Sequence, residues 1–250
     1  MKIVLIVLMN FCIMTAKGQD VNLLIKEAAN LEKQLKEPEA LDKYKQAVAA
    51  DANNIAALVK CAELNASIGA RQTDKNWKII YYNNTQTFAR QAYAADSNSA
   101  DASYAMALAA AKMTEIADEN KQVIAYVRET KMYIDKALTV NTSHAKANYT
   151  LGKWHYEMVT LSWVKKAAVK AIYGGLPKGA IDSAILYMEK CRKLDQYFVR
   201  NYLDLAKAYQ YDSKPTKEME ILNLLIKLPL RTADDAALKA EGKKMLDQMM

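Results

Sequence analysis

The sequence predicts an all-α fold, an α-solenoid in which antiparallel helix pairs repeat along the chain. The 250 residues include only seven glycines and four prolines, and no stretch alternates like a β-strand. Few turn formers among many helix formers favour a helical chain. A nine-residue pattern also returns at a spacing of 45 residues. Self-similarity at a period of this size is the signature of stacked helical repeats.

Residues 1–18 have the pattern of a signal peptide. Lys2 is followed by an uncharged run over residues 3–16, and Ala16-Lys17-Gly18 places small residues where a signal peptidase cleaves. The run is short for a helix that spans a bilayer. We therefore expect a cleaved signal, a mature domain of residues 19–250, and export to a periplasm or out of the cell. An uncleaved membrane anchor is the alternative.

Charge and cysteine content restrict the class of protein. The net charge of +7 falls to +5 without residues 1–18, which is no signature of nucleic-acid binding. The mature chain keeps two cysteines, Cys61 and Cys191, which are too few for a disulfide scaffold. Both fall at predicted helix contacts, so we expect free buried thiols.

Four segments carry the repeat. QAVAADANN at residues 46–54 and QAYAADSNS at residues 91–99 share six of nine positions. The same register reaches DKALTVNTSH at 135–144, and EKCRKLDQY at 189–197 is a fourth copy. After each copy comes a helix in which a large residue precedes a very small one, as in Leu151-Gly152. Such a small residue lets the second helix of a pair approach closely.

These patterns resemble the tetratricopeptide repeat over most of residues 21–230. Leu151-Gly152 and the run from Tyr202 to Tyr209 are similar to its first-helix pattern, and the run from Ala40 to Ala47 to its second. Two features depart from the usual repeat. About 11 extra residues separate the helices of a pair, and the proline that usually follows the second helix is replaced by Ala52, Ser97, Thr142 or Gln196.

About eleven helices are expected, with elongated helices in the middle repeats. All four prolines fall at predicted junctions, where they open or follow helices. The predicted ranges are 21–35, 38–51, 55–68, 73–95, 100–116, 119–140, 144–173, 178–194, 197–211, 215–228 and 232–249.

Equivalent positions on three first helices predict a partner-binding groove. Because repeats of this kind hold peptides or helices on their concave side, residues that line this side are candidates for partner contact. Tyrosine suits this role because it offers apolar area at little entropic cost. The predicted groove residues are Tyr104, Leu108, Tyr149, Lys153, Tyr156, Leu203 and Lys207. A solvated surface with incidental tyrosines is the alternative interpretation.

A second candidate surface is basic. Lys165, Lys166, Lys170 and Lys178 would cluster at the far end of helix 144–173 and could dock an acidic segment or lipid headgroups. His155, between Trp154 and Tyr156, is interpreted as a packed, hydrogen-bonded core residue, because His144 lies three turns away and no Cys or Asp lies nearby to complete a metal site.

A narrower resemblance covers roughly residues 95–245. LGKWHYEMVTLSWVKK, a Gly/Pro turn, AIDSAILYMEKCRKLD, YLDLAKAY and ILNLLIKLPLRTADDAAL resemble the C-terminal repeat region of the regulator of microtubule dynamics family. Leu161-Ser162-Trp163 and Leu228-Pro229 make this likeness more specific than repeat patterning. The resemblance implies a helical adaptor without catalytic residues; family members associate with microtubules and spindle poles, or with mitochondrial and endoplasmic-reticulum contacts.

The leading hypothesis is a non-enzymatic scaffold that binds a protein or peptide, without cofactor or metal, and without nucleic acid. A membrane partner is expected only if residues 1–18 are retained. The chain has no Gly-rich phosphate loop, Gly-x-Ser-x-Gly elbow or His-rich metal motif. Two alternatives remain open: a cell-envelope enzyme on a helical frame, and a carrier of an apolar ligand between repeats.

Overall fold

The computed structural model describes residues 21–161, 170, 174 and 178–249, and the regular structure in these residues is helical throughout. Among them are eleven helices of at least 11 residues, numbered α1 to α11 in chain order. They are 21–33 (α1), Glu37–Ala50 (α2), Ile55–Ala70 (α3), Lys75–Ala95 (α4), Ala100–Met113 (α5), Asn120–Val140 (α6), Ala145–Thr160 (α7), Ile181–Leu194 (α8), Val199–Tyr211 (α9), Pro215–Leu225 (α10) and Asp235–Asp247 (α11). The predicted all-α class is confirmed.

The chain divides into two compact units, one ending at Ser97 and the other beginning at Asn98. In unit 1, α3 packs against α2 and α4 around a core that includes Tyr44, Cys61 and Leu64. In unit 2, α5 packs with α6, α7 with α8, and α9 with α10. The first helix of each of these pairs also lies beside the next first helix, since α7 contacts both α5 and α9.

The repeated Asp or Asn explains how the second helices end without proline. Asp51, Asp96, Asn141 and Asp195 are extended residues at the ends of α2, α4, α6 and α8. In three of them the side-chain oxygen accepts a hydrogen bond from the backbone N–H two residues on, at 2.9–3.2 Å. Such a side-chain turn reverses the chain locally, so it replaces the proline of the usual repeat.

A capping residue then starts the next helix after three of these turns. The side chains of Asn54, Ser99 and His144 accept hydrogen bonds from the backbone N–H three residues on, at 3.0–3.2 Å. A side-chain acceptor of this kind satisfies one of the unpaired N–H groups of the first turn. Turn and cap together fix the register that recurs every 45 residues.

The small residues predicted at pair contacts are buried. Gly152 shows why size matters there: a Cβ added to it would lie 2.7 Å from Met188 Cγ and 2.9 Å from the backbone oxygen of Ala184. Helices α7 and α8 are therefore in near backbone contact. The buried set is Ala47, Ala62, Ala92, Ala107, Ala137, Gly152, Cys191 and Ala206.

Cys61 and Cys191 are free and buried, as expected. Burial raises the pKa of both thiols to about 12. Because the thiolate is the reactive form, neither is suited to nucleophilic or redox chemistry in the folded chain.

The predicted elongated helices occur at α4 and α6, each of 21 residues. The prediction of one helix over residues 144–173 was wrong. The helix α7 ends at Thr160, because Leu161 turns to an extended conformation with φ −57° and ψ 131°. Val159 and Thr160 are β-branched, which weakens a helix end. The Thr160 hydroxyl also donates to the carbonyls of Tyr156 and Glu157. Residues 162–169 and 171–173 lie outside the described residues.

A buried carboxylate organises the chain before α11. Asp235 accepts hydrogen bonds from the backbone N–H groups of Arg231 and Thr232 at 2.7 and 2.8 Å, and from the Thr232 hydroxyl at 2.7 Å. These bonds are the structural basis of the Thr and Asp of the pattern in that segment. Within the described ranges, no helix combines the length and apolar character needed to cross a membrane.

Candidate partner-binding surface

The side-by-side packing of α7 and α9 brings several predicted groove residues together. Tyr149 and Lys153 of α7 both reach Asp204 of α9, and the ring of Tyr156 lies 6.3 Å from that of Tyr211. We call these five residues, with Glu157, the α7–α9 surface. Glu157, Asp204 and Tyr211 were missed by the sequence analysis.

Asp204 is the buried carboxylate beneath this surface, with 5% of its area exposed. It accepts a hydrogen bond from the Tyr149 hydroxyl at 2.7 Å, and Lys153 Nζ lies 3.4 Å away. A carboxylate can be buried at modest cost only when it is paired and hydrogen-bonded. Tyr149 and Lys153 therefore serve first to hold this carboxylate, and through it the spacing of α7 and α9.

The electrostatics agree with this role. Burial raises the pKa of the Tyr149 hydroxyl well above its usual range, and the nearby Asp204 charge raises it further, so Tyr149 is a neutral donor. Burial acts to lower the pKa of Lys153, but the carboxylates of Asp204 and Glu157 outweigh it and hold that pKa above its ordinary value. Lys153 is thus a cation with two acidic neighbours.

The solvent-facing part of the α7–α9 surface is aromatic and polar. Lys153 Nζ lies 5.6 Å from the ring centre of Tyr156, at the distance of a cation–π contact. Tyr211 is 51% exposed, and its hydroxyl donates to the carbonyl of Val159 at 3.2 Å. Glu157 is exposed, with its carboxylate 3.7 Å from Lys153 Nζ. The exposed ring of Tyr211, the half-buried ring of Tyr156 and the Glu157 carboxylate are therefore the groups that a ligand could reach.

The other predicted groove residues differ in accessibility. Tyr104 and Leu203 are buried, with 7% and 1% of their areas exposed, and Leu108 is half-buried. The Tyr104 ring packs 5.0 Å from that of His144. Lys207 is half-buried and forms an ion pair of 2.7 Å with Glu241. Among these, Tyr104 and Leu203 contribute support rather than contact area.

Arg200 links this surface to the segment before α11. Its guanidinium donates to Asp234 at 2.7 Å, next to Asp235. Burial opposes the charged form of Arg200, but the combined influence of Tyr149, Asp234 and Asp204 keeps its pKa raised. The side chain therefore ties α9 to the terminal helix.

Both histidines have structural contacts. His155 stacks on Tyr187 at 6.0 Å and accepts a hydrogen bond from the backbone N–H of Ala180 at 3.3 Å, as predicted, but it is half-buried and not a core residue. Burial lowers its pKa. His144 Nδ1 accepts from Ala147 N–H, so Nε2 carries the proton and donates to Asp101 at 2.9 Å. No group of three or more His, Cys, Asp or Glu side chains in the described part of the chain could hold a metal ion.

The basic docking patch is only partly described. Lys170 and Lys178 are exposed, whereas Lys165 and Lys166 lie outside the described residues. The patch stays a prediction.

One groove in unit 2 bears on the alternative of an apolar-ligand carrier. It has a volume of about 360 Å³ and is open to solvent between α6, α7 and α8. Its lining mixes charged, polar and apolar side chains: Asp135, Leu138, Thr139, Thr142, Leu151, Tyr187 and Lys190. It is not a closed apolar tunnel, so it does not favour that alternative.

Solved structures share this fold at low sequence identity. A thermophilic TPR protein of Thermus thermophilus has a TM-score of 0.64 and 13% identity, covering 90% of this chain and 98% of that one. Pseudomonas aeruginosa PilF has a TM-score of 0.54 and 12% identity, covering 93% and 86%. At such identities the likeness shows the fold alone, which is tetratricopeptide-like.

Curated relatives and a family model give a closer likeness. Regulator of microtubule dynamics protein 1 of Caenorhabditis elegans is 27% identical over 96 residues, 38% of this chain and 42% of that protein. Regulator of microtubule dynamics protein 2 of Mus musculus is 28% identical over 99 residues, 39% of this chain and 24% of that protein. The chain thus matches less than half the length of these relatives. The model of regulator of microtubule dynamics protein 1-3 matches residues 24–250. The chain therefore belongs to the regulator of microtubule dynamics family.

Proposed function

We propose that this chain is a non-enzymatic adaptor that binds a peptide or helical segment of a protein partner on the concave face of its repeats, at the α7–α9 surface. The family and the tetratricopeptide-like fold support a role in protein–protein interaction.

The observation that carries the proposal is the rigid support beneath the two tyrosines. Tyr156 and Tyr211 meet edge to face across α7 and α9, and the spacing of these helices is held by the buried contacts of Asp204 with Tyr149 and Lys153. Pre-organised aromatic side chains give up little entropy when a partner binds. Tyrosines of this kind are frequent hot spots of interfaces.

The surrounding charges define what the partner offers. Glu157 is exposed, whereas the lysine nearest to it, Lys153, lies closer to Asp204. A partner segment that packs an apolar side chain on the tyrosines and brings a hydrogen-bond donor to Glu157 fits this surface. The names of the relatives, regulators of microtubule dynamics, make polymerised tubulin the protein to test if residues 1–18 are retained as an anchor, since a chain exported after cleavage would not meet it.

The experiment selects peptides from a random display library against the full chain and measures their affinity for two variants. Tyr156→Ala with Tyr211→Ala should weaken binding by about 2 kcal/mol or more, roughly thirtyfold in Kd. Leu186→Ala is the matched control, because Leu186 is a 62% exposed apolar residue on α8. Equal affinity for the double tyrosine variant and the wild type would refute the site. Tubulin co-sedimentation with the same proteins tests that partner directly.

We also propose that residues 1–18 direct export and are removed, with membrane anchoring as the alternative. The uncharged run after Lys2 supports this proposal. The intact mass of native protein distinguishes the two cases, since retention of residues 1–18 would refute cleavage.

A further inference from the structure

Four Asn-x-Ser/Thr sequons occur in the described chain, and the structure divides them into two classes. Asn83 and Asn141 are exposed, the first on α4 and the second at the end of α6. Asn65 and Asn148 have no exposed area. This triplet is the acceptor for N-linked glycosylation, and glycans belong on protein surfaces. Two of the four acceptors are therefore incompatible with a glycan in the folded chain.

Both hydrogens of the Asn148 side-chain nitrogen take part in hydrogen bonds. Its two N–H groups donate to the backbone carbonyls of Thr142 and His144, at 3.0 and 2.9 Å. Glycosylation joins Nδ2 to the anomeric carbon of the sugar, while one amide proton leaves and the lipid diphosphate carrier departs with the bonding electrons. One of the two hydrogen bonds is then lost, at the start of α7 where the turn after α6 is fixed.

Asn65 is the second buried acceptor, and it lies in unit 1. Its Nδ2 donates to the carbonyl of Cys61 at 2.7 Å, within the core formed by α2 and α3. Because Asn65 has no exposed area, a sugar attached there would have to displace the side chains that bury it. Since protein interiors are packed to the density of organic crystals, the helices would have to separate.

Burial in the folded state would not protect these residues in a glycosylating lumen, because oligosaccharides are transferred to the chain as it enters, before it folds. We infer that this protein folds in a compartment that does not transfer oligosaccharides to such sequons: the cytosol, an organelle without that enzyme, or a bacterial periplasm. On this inference, the lumen of the endoplasmic reticulum is not its folding site. Of the proposed locations, a periplasm or a tether that leaves the repeats in the cytosol remains.

The test directs the full chain, fused behind a eukaryotic secretion signal, into the lumen of a glycosylating cell. The wild type should carry glycans at Asn65 or Asn148 and fail to accumulate as folded secreted protein. Ser67→Ala with Thr150→Val removes the two buried sequons and keeps both asparagines, so secretion of folded protein should return. Ser143→Ala removes only the exposed sequon at Asn141 and should not restore it.

Expression of the same proteins in a bacterial cytosol controls for folding, because no glycan is added there. All of them should show cooperative thermal unfolding in that host. Two results would overturn the inference: secretion of folded wild type at the level of the double variant, or failure of the double variant to be secreted although it folds in the bacterial cytosol.

Discussion

Replacement of Gly152 by alanine should destabilise unit 2, although alanine is the better helix former. The added Cβ would lie 2.9 Å from the Ala184 carbonyl oxygen and 3.1 Å from the Met188 nitrogen, both backbone atoms of α8. Higher helix propensity contributes about 1 kcal/mol in favour of alanine. Overpacking that moves backbone costs roughly 2–3 kcal/mol, the upper part of its usual range. The expected net loss is about 1–2 kcal/mol, or about 2–8 °C in Tm.

Urea unfolding followed by tryptophan fluorescence measures this loss. A Trp77→Phe background removes the tryptophan of unit 1, so that buried Trp154 of α7 contributes to a signal from unit 2. The second test combines Gly152→Ala with Met188→Ala, which removes the flexible Cγ but leaves the backbone obstacle. Alanine at 152 should still destabilise in that background. A variant as stable as its parent in both backgrounds would show that α7 and α8 are not in backbone-limited contact.

Three further results are expected. Asp235→Ala should lower the free energy of unfolding by about 2–3 kcal/mol in urea titrations, because two backbone N–H groups and a hydroxyl lose their acceptor; an unchanged midpoint would contradict this. A thiol reagent near neutral pH should label Cys61 and Cys191 only after denaturation, since burial raises the pKa of each to about 12; rapid labelling of the native chain would contradict that burial. The hydrogen bond to His144 lowers the pKa of Asp101, so its stabilising contribution is present above the carboxyl's ordinary pKa and is lost as pH falls through the lowered value. Because Asp101 is largely exposed, the loss should be small, and it should be absent in Asp101→Asn.

The sequence predicted the repeat well because its boundaries depend on local chemistry. An Asp or Asn that turns the chain and a capping side chain three residues later act within one short segment, as Asp51 and Asn54 do. Burial of the small residues followed from the same register. Such features need no knowledge of distant contacts.

The candidate site was harder to predict, because its key contacts join residues far apart in the chain. Asp204 is an acid in the middle of an amphipathic helix, a position that usually means a solvated face. Its burial depends on Tyr149 and Lys153, 55 and 51 residues away. The predicted length of α7 was wrong because the sequence pattern does not show where the backbone turns. Apolar periodicity continues past Thr160, whereas the backbone turns at Leu161.

The packing of helix α11 limits how the array of helical repeats can be truncated. Leu246 and Gly242 of α11 cover the apolar end of unit 2. Gly242 packs so closely that a Cβ added to it would meet Leu225 Cδ2. Deletion of α11 would uncover Leu225 and its neighbours, and an unshielded repeat end associates with whatever apolar surface it meets. An engineered array that ends at Leu225 would therefore need another segment shaped to cover this apolar end.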